Sequence, residues 1–298
     1  MRYRPPFPLD LAAVLSPHRR GTGDPCLRAD DAGTRWLTGN TPDGPGTLAL
    51  RRFADGEIEA AAWGPGADSL LAGMPALVGA EDDDSEFVSH HDRIAQVRRR
   101  MPGLRLGATG RVWDALVPAV LEQKVTGYEA RRSWRELCRW FGEPAPGPAP
   151  AGMRVPPAPK AILSIPDWTW HRAGVDHSRR KALIFAAQVA HRLEGAAALR
   201  GAEGRALLRK VPGIGVWTAS EVAQRAWGDP DAVSFGDFHI PAVVGYALLG
   251  APLDDEGLAE VLAPYAPQRQ RAVRYVEAGG FSRPRFGPRF SPRDYRAM

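Results

Sequence analysis

The segment 207–224, LLRKVPGIGVWTASEVAQ, has the composition of two helices joined by a tight reversal. Pro212, Gly213 and Gly215 predict the turn, because glycine adopts backbone conformations that other residues avoid. Amides at the start of the second helix, backed by the positive end of its dipole, can bind a phosphate without reading a base. A helical packing corner with a glycine cap has the same spacing, and both interpretations fit the segment by itself.

A single carboxylate follows in a glycine-containing loop. The stretch DPDAVSFGDFHIP places Asp237 beyond the second helix, where a further helix is predicted to begin. A fixed carboxylate can stabilise positive charge in a transition state and orient an attacking water molecule. It can also cap the helix that follows, and the two roles are compatible. Asp229 and Asp231, earlier in the loop, are expected to be turn residues.

The basic residues are almost all arginine. Lysine occurs only at positions 124, 160, 181 and 210, and the formal net charge is +5 with a pI of about 9.5. This balance is compatible with a polyanionic partner, although genomic codon bias produces the same arginine excess. The scarcity of lysine restricts which residue can form a Schiff base.

The remaining composition excludes several classes of protein. No stretch approaches the ~20 apolar residues needed to span a bilayer, and MRYRPPFPLD lacks the apolar core of a secretory signal. A cytoplasmic location without membrane association is therefore expected. Cys26 and Cys138 are too few for a four-thiolate zinc or iron–sulfur site, and they are expected to be reduced thiols.

The secondary structure predicted to position these residues changes along the chain, from strands in the N-terminal part to helices in the remainder. Segments 34–38, 47–53 and 57–63 are predicted to be antiparallel strands, with turns at 43–46 and 54–56 and a helix over 66–79. The acidic run 81–84 is interpreted as the separation between this sheet and a helical remainder. The predicted units are an N-terminal α+β domain over 1–88, a helical core over 89–280 and a basic flexible tail over 281–298.

Helical periodicity begins near Asp92. Two basic amphipathic helices are predicted over 126–141 and 178–193, joined through an irregular Pro/Gly-rich loop at 143–159. Further helices are predicted over 203–210, 215–227, 237–249, 255–263 and 267–278. The aromatic group of Trp168, Trp170 and His171 is expected to be core. Arg179, Arg180 and Lys181 are expected either to contact phosphates or to form a solvated face.

With these motifs in place, the chain resembles the helix-hairpin-helix (HhH-GPD) DNA glycosylase superfamily, and within it the AlkA-type 3-methyladenine DNA glycosylase II. The hairpin VPGIGVWTA followed by Asp237 is the most specific part of the resemblance. It extends to segments 3–7, 102–106, 121–126, 178–187 and 265–275.

The resemblance implies an α+β fold, in which a helical glycosylase core of two subdomains carries an N-terminal antiparallel sheet. It implies a monofunctional enzyme that flips damaged bases, above all alkylated purines, out of double-stranded DNA and hydrolyses the N-glycosidic bond. No metal and no cofactor are expected, and the enzyme is expected to be a monomer in the cytoplasm, associated with the nucleoid. The alternatives are a glycosylase for deaminated or oxidised bases, and a non-catalytic protein that binds damaged DNA.

The resemblance also assigns roles to residues. Asp237 is the catalytic carboxylate, and the phosphate-binding hairpin comprises Gly213, Ile214, Gly215, Val216 and Thr218. Trp217 stands where bifunctional relatives carry their lysine, so strand cleavage is not expected. It is a candidate for stacking on the extruded base, although core packing is an alternative.

The chain departs from the AlkA-type pattern at three positions of the expected site. Glu221 and Glu277 replace aromatic residues of the base pocket; either they accept hydrogen bonds from a base, or they face solvent and the alignment is shifted. Lys124 replaces the apolar wedge, and Gln123 beside it can pair with the orphaned base. A surface position is the alternative for Lys124.

Overall fold

The computed structural model describes residues 1–281 and Asp294. Its N-terminal part is a five-stranded, fully antiparallel sheet with strand order β1-β5-β4-β3-β2. The strands are β1 Arg2–Tyr3, β2 Leu27–Ala29, β3 Arg35–Thr41, β4 Gly44–Arg52 and β5 Ile58–Trp63. Thr41 pairs with Gly44, so the β3–β4 turn lies at Pro42 and Asp43. The predicted turn at 43–46 was therefore misplaced, because Gly44 and Gly46 belong to the strand.

Two helices cover one face of this sheet and close its core. Helix α1 (Leu11–Leu15), which the sequence did not predict, begins after Asp10, whose carboxylate accepts from the amide of Ala13. Helix α2 (Ala67–Leu77) confirms the prediction for 66–79. The core between sheet and helices includes Leu48, Leu50, Ile58, Leu70 and Met74. The central strand β4 is buried over five consecutive residues, 46–50, so it is covered on both faces.

From residue 92 to residue 278 the regular elements are helical, as predicted. Its helices are α3 Asp92–Arg100, α4 Val112–Leu121, α5 Gly127–Phe141, α6 Pro159–Leu163, α7 Asp167–Arg172, α8 His177–Gln188, α9 Ala190–Leu193, α10 Ala196–Leu199, α11 Gly201–Leu208, α12 Val216–Ala226, α13 Ile240–Leu248, α14 Asp255–Leu262 and α15 Arg269–Ala278. The single helix predicted over 178–193 is interrupted at Val189, which separates α8 from α9. Segment 143–159 is irregular, as predicted, apart from one bridge between Pro144 and Arg154.

Two hydrophobic cores organise these helices. The first surrounds α4, in which every residue except Asp114 is buried, and it includes residues of α5, α8 and α12. The second joins α3 to α13, α14 and α15. The two cores agree with the two helical subdomains that the resemblance implied. The candidate site lies where α12, of the first core, meets α13 and α15, of the second.

The acidic run 81–84 holds parts of the chain together. Asp82 forms an ion pair with Arg271 in which both side chains are 3% exposed, and Asp84 pairs with Arg98 at 3.0 Å. The run lies between α2 and α3, as predicted, and since a buried carboxylate is tolerated only with such partners, these ion pairs also tie it to α3 and α15. The proposed boundary at residue 88 stays a prediction.

Three further sequence predictions concern the chain as a whole. Cys26 and Cys138 are buried free thiols with their Sγ atoms 3.7 Å apart. Among residues 1–281, no helix has the length and hydropathy to span a membrane. The predicted basic tail lies outside the described residues, apart from Phe281 and Asp294.

Candidate active site

The hairpin connects α11 to α12 through Gly213, Ile214 and Gly215. Gly213 has φ +89°, and a Cβ placed there would lie 2.7 Å from the Cβ of Ala182. Glycine is therefore required at this position. Gly215 is the N-cap of α12 with φ −90°, and an added Cβ would meet no atom within 4 Å. Its surroundings are open, so a ligand can approach the first amides of α12.

The two side chains after Gly215 face in different directions. Val216 is 43% exposed at the start of α12. Thr218 is only 2% exposed, and its hydroxyl accepts a 2.8 Å hydrogen bond from Gln123. Because its side chain is turned inward, only the backbone of Thr218 can take part in the predicted phosphate binding, which stays a prediction. Ile214 is 5% exposed and anchors the hairpin in the first helical core.

Gln123 connects the turn after α4 to this hairpin. Its amide nitrogen donates to the carbonyl of Gly213 at 2.9 Å and to the hydroxyl of Thr218 at 2.8 Å. Both N–H donors are thus used within the protein, which argues against Gln123 as a donor to an orphaned base. Lys124 is exposed and has φ +53°. Such strain in a residue other than glycine is common at functional turns.

Asp237 is fixed through both of its carboxylate oxygens. Oδ1 accepts from the amides of His239 at 2.6 Å and Ile240 at 2.9 Å, so the side chain caps α13. Oδ2 accepts a 2.9 Å hydrogen bond from the indole Nε1 of Trp217. The half-buried carboxylate therefore performs the capping role and remains close to the start of α12.

Trp217 lies on the first turn of α12 and is half-buried. Its contact with Asp237 was not foreseen, because the sequence shows only that a tryptophan stands on the second hairpin helix. The stacking role assigned to Trp217 stays a prediction. The neighbouring Phe238 is 66% exposed and meets the ring of His239 edge to face, with the ring centroids 5.1 Å apart.

Glu221 and Glu277 have different surroundings. Glu221 is 8% exposed; its carboxylate accepts from the Ser234 hydroxyl at 2.6 Å and pairs with Arg225 at 2.9 Å. Solvent exposure, one alternative considered for both glutamates, is therefore wrong for Glu221. The Glu277 side chain is 43% exposed, with its carboxylate 3.6 Å from Arg274.

The pKa of Glu277 reflects its neighbours. Desolvation by the surrounding protein raises the pKa of the Glu277 carboxyl, Arg274 opposes this, and the negative charges of Glu221 and Asp237 raise it further. Glu277, Glu221 and Asp237 are near enough to interact electrostatically.

Two arginines that the sequence did not single out bring the N-terminal segment to the site. Arg225 donates from Nε to the carbonyl of Pro17 at 2.9 Å, across 208 positions of sequence. Arg274 donates from Nη2 to the carbonyl of Ala13 at 2.9 Å and to the hydroxyl of Ser16 at 2.6 Å. Arginine-rich composition gave no signal for these contacts, because they depend on how the sheet domain docks.

Several secondary predictions are corrected. Arg179 is 4% exposed and donates to the carbonyls of Leu121 and Gly174, so it is part of the core and does not contact phosphate. Trp170 is 1% exposed, as predicted for core, whereas Trp168 is 64% exposed. His171 is also exposed, against the prediction that it is core.

The two aspartates before the Asp237 loop have partners of their own. Asp229 is 3% exposed; it pairs with Arg205 and accepts from the indole of Trp227 at 3.1 Å. Asp231 pairs with Arg269 at 2.5 Å. Both stabilise the loop, in agreement with the prediction that they are turn residues.

Comparison with known proteins finds similarity in structure alone. No protein-family model and no curated protein matches the sequence. The 3-methyladenine DNA-glycosylase of Archaeoglobus fulgidus superposes with a TM-score of 0.77 at 14% identity, covering 93% of this chain and 96% of that one. The 8-oxoguanine glycosylase/lyase of Clostridium acetobutylicum, in its apo form, gives 0.70 at 11% identity, covering 93% and 95%.

A fission yeast protein extends the comparison to a complex with DNA. The 3-methyladenine DNA glycosylase of Schizosaccharomyces pombe, bound to abasic DNA, gives a TM-score of 0.51 at 17% identity, covering 63% of this chain and 91% of that one. At such identities the likeness concerns the fold. The chain has the α+β fold of the helix-hairpin-helix (HhH-GPD) DNA glycosylases.

Proposed function

We propose that this protein is a monofunctional DNA glycosylase that excises damaged bases, chiefly alkylated purines, from double-stranded DNA. The observation that carries the proposal is the fixed carboxylate of Asp237, held between the amides that begin α13 and the indole of Trp217. The similar fold of proteins named 3-methyladenine DNA glycosylase supports the same reaction class.

Asp237 supplies the charge that the reaction needs. When the bond between C1′ and the base nitrogen breaks, its electron pair leaves with the base and the sugar becomes oxocarbenium-like. The carboxylate stabilises this positive charge. A ring-alkylated purine is already cationic, so it departs as a neutral base without a proton from an acid. Water then adds to C1′ and gives up its proton, for which Asp237 is the acceptor beside the sugar.

The hairpin and the turn after α4 act on the DNA around that nucleotide. The amides from Gly215 onward bind a backbone phosphate, which fixes the duplex without reading sequence. Lys124, exposed at its strained turn, inserts into the gap that the flipped nucleotide leaves. Gln123 ties this wedge to the hairpin, so that phosphate binding and insertion are mechanically linked.

The absence of strand cleavage follows from the residue beside Asp237. A lyase needs an amine that attacks C1′, whereas the side chain that contacts the carboxylate from α12 is the indole of Trp217. Lys210 precedes the hairpin and is exposed. We therefore assign hydrolysis alone, performed by a monomer without metal or cofactor.

A second candidate is a glycosylase for oxidised or deaminated bases. The observation in its favour is the fold shared with the 8-oxoguanine glycosylase/lyase over 93% of this chain. The deciding experiment measures base release from one duplex sequence that carries 7-methylguanine, hypoxanthine or 8-oxoguanine at the same position. Preferred release of 7-methylguanine supports the first candidate, and preferred release of either other base supports the second. Binding to damaged duplexes without release of any base would refute both.

A further inference from the structure

Two glutamates near Asp237, Glu221 and Glu277, differ in how fully their carboxylates are paired within the protein. The Glu221 carboxylate is occupied by the Ser234 hydroxyl at 2.6 Å and by Arg225 at 2.9 Å. The Glu277 carboxylate is 3.6 Å from Arg274, which exceeds a normal hydrogen-bond length. The Glu277 carboxylate can therefore still accept a hydrogen bond from a ligand, whereas both oxygens of Glu221 already have partners within the protein.

The two neighbouring arginines are held in place by the N-terminal segment. Nη2 of Arg274 donates to the carbonyl of Ala13 and to the hydroxyl of Ser16. Arg225 donates to the carbonyl of Pro17 and forms an ion pair with Glu221. Arg274 therefore reaches Glu277 only through Nη1, at 3.6 Å, while its Nη2 holds the N-terminal segment.

The charges of this group do not balance. Asp237, Glu221 and Glu277 contribute three carboxylates, whereas Arg225 and Arg274 contribute two guanidinium groups. The surplus is one negative charge in a group of which Glu221 is buried and Glu277 is exposed, and electrostatic interactions beside buried protein are stronger than in water. Glu277 is the member of the group that is exposed and least engaged, so a ligand can reach it.

We infer that Glu277 is the specificity-determining residue of the base pocket, and that its carboxylate selects an extruded purine by positive charge. The inference rests on the proposed function and deepens it: discrimination comes from a carboxylate rather than from an additional aromatic ring. A cationic base neutralises the surplus charge. A neutral base without an N–H donor leaves Glu277 desolvated and unpaired, which is unfavourable.

The test measures affinity with Asp237 intact, for duplexes whose target nucleotide carries a 2′-fluorine that disfavours the oxocarbenium-like transition state, so the base stays attached to the DNA. Two such duplexes of one sequence carry either cationic 7-methylguanine or neutral 1,N6-ethenoadenine. The wild-type protein should prefer the cationic base, and Glu277→Gln should reduce that preference roughly 10- to 100-fold, as expected when a charge-assisted contact is lost. Glu277→Asp should retain part of it. Glu59→Gln, at an exposed charge on β5, should leave it unchanged.

The possible outcomes separate the inference from the proposed function. A duplex with a tetrahydrofuran abasic analogue places no base in the pocket. The Glu277→Gln variant should bind this duplex with the same affinity as the protein that retains Glu277, which also shows that the variant is folded. No preference for the cationic base, or an equal loss for both bases, overturns the inference. Base release by the wild-type protein tests the proposed function independently. If the wild-type protein releases the base but Glu277→Gln leaves the preference for the cationic base unchanged, only the inference fails.

Discussion

The indole Nε1 of Trp217 donates a 2.9 Å hydrogen bond to Oδ2 of Asp237, joining the first turn of α12 to the start of α13. The other carboxylate oxygen accepts hydrogen bonds from the amides of His239 and Ile240, where α13 begins. The orientation of the carboxylate is therefore set by both helices that form the site, and each contact can be removed separately.

Asp237→Asn should reduce base release roughly 100-fold or more, the range typical for losing one electrostatic contact to a transition state. The asparagine Oδ1 can still accept from the amides of His239 and Ile240, so α13 keeps its cap. Single-turnover release from a 7-methylguanine duplex measures the effect, with lesion-DNA affinity as the control. Release at the wild-type rate would place the catalytic group elsewhere.

Trp217→Phe should lower base release about tenfold, because it removes the N–H donor to a charged carboxylate and keeps an aromatic face. The ring that is expected to stack on the base is retained, so affinity for lesion DNA should change little. Parallel rate and binding measurements separate the two roles. A large loss of affinity with an unchanged rate would mean that Trp217 only binds the base.

Gly215→Val should weaken binding to damaged and undamaged duplexes alike, with little change in Tm. A Cβ at Gly215 meets no protein atom within 4 Å, but it occupies the approach to the first amides of α12. Gly213→Val is the matched control: with φ +89° and Ala182 at 2.7 Å, it should lower Tm as well. A loss confined to lesion-bearing DNA would place Gly215 in the base pocket instead.

The product should be an intact abasic strand until alkali or heat is applied. No lysine occupies the Trp217 position, and the amine needed for a Schiff base is therefore missing beside Asp237. Borohydride added during the reaction should trap no covalent protein–DNA adduct. An adduct that disappears with Lys210→Ala or Lys124→Ala would contradict the assignment of hydrolysis alone.

His18→Gln should reduce the loss of stability in mild acid. Burial, followed by the positive charges of Arg225 and Arg20, lowers the pKa of His18 from 6.5 to about 3. Between these values the unfolded chain binds a proton that the folded protein does not, so stability falls as pH falls. The parental loss from this group is at most about 2 kcal/mol by pH 5. Denaturant unfolding at pH 7 and pH 5 measures it.

A matched control for that experiment is His177→Gln, an exposed histidine at the start of α8. It should follow the parental stability at both pH values. If the His18 variant loses as much stability between pH 7 and pH 5 as the parent, protonation of His18 is not coupled to folding.

The sequence by itself determined the parts of this protein that depend on local chemistry. The proline and glycines of the hairpin specify a reversal whatever surrounds it, and the Gly-containing loop delivers Asp237 to the start of a helix. Turn signals between short segments, followed by helical periodicity, likewise placed the sheet before the helical core. These features follow from backbone conformation and from burial of one face, which are properties of short segments.

The tertiary structure alone decided how polar side chains are paired. Nothing local distinguishes Glu221, which is occupied by Ser234 and Arg225, from Glu277, which is open. Nor does composition separate the buried Arg179 from an arginine that faces solvent. Each of these differences depends on a partner distant in sequence, as when Arg225 meets Pro17 across 208 positions. Because a buried charge must find such a partner, the packing of domains fixes which charges remain for a ligand.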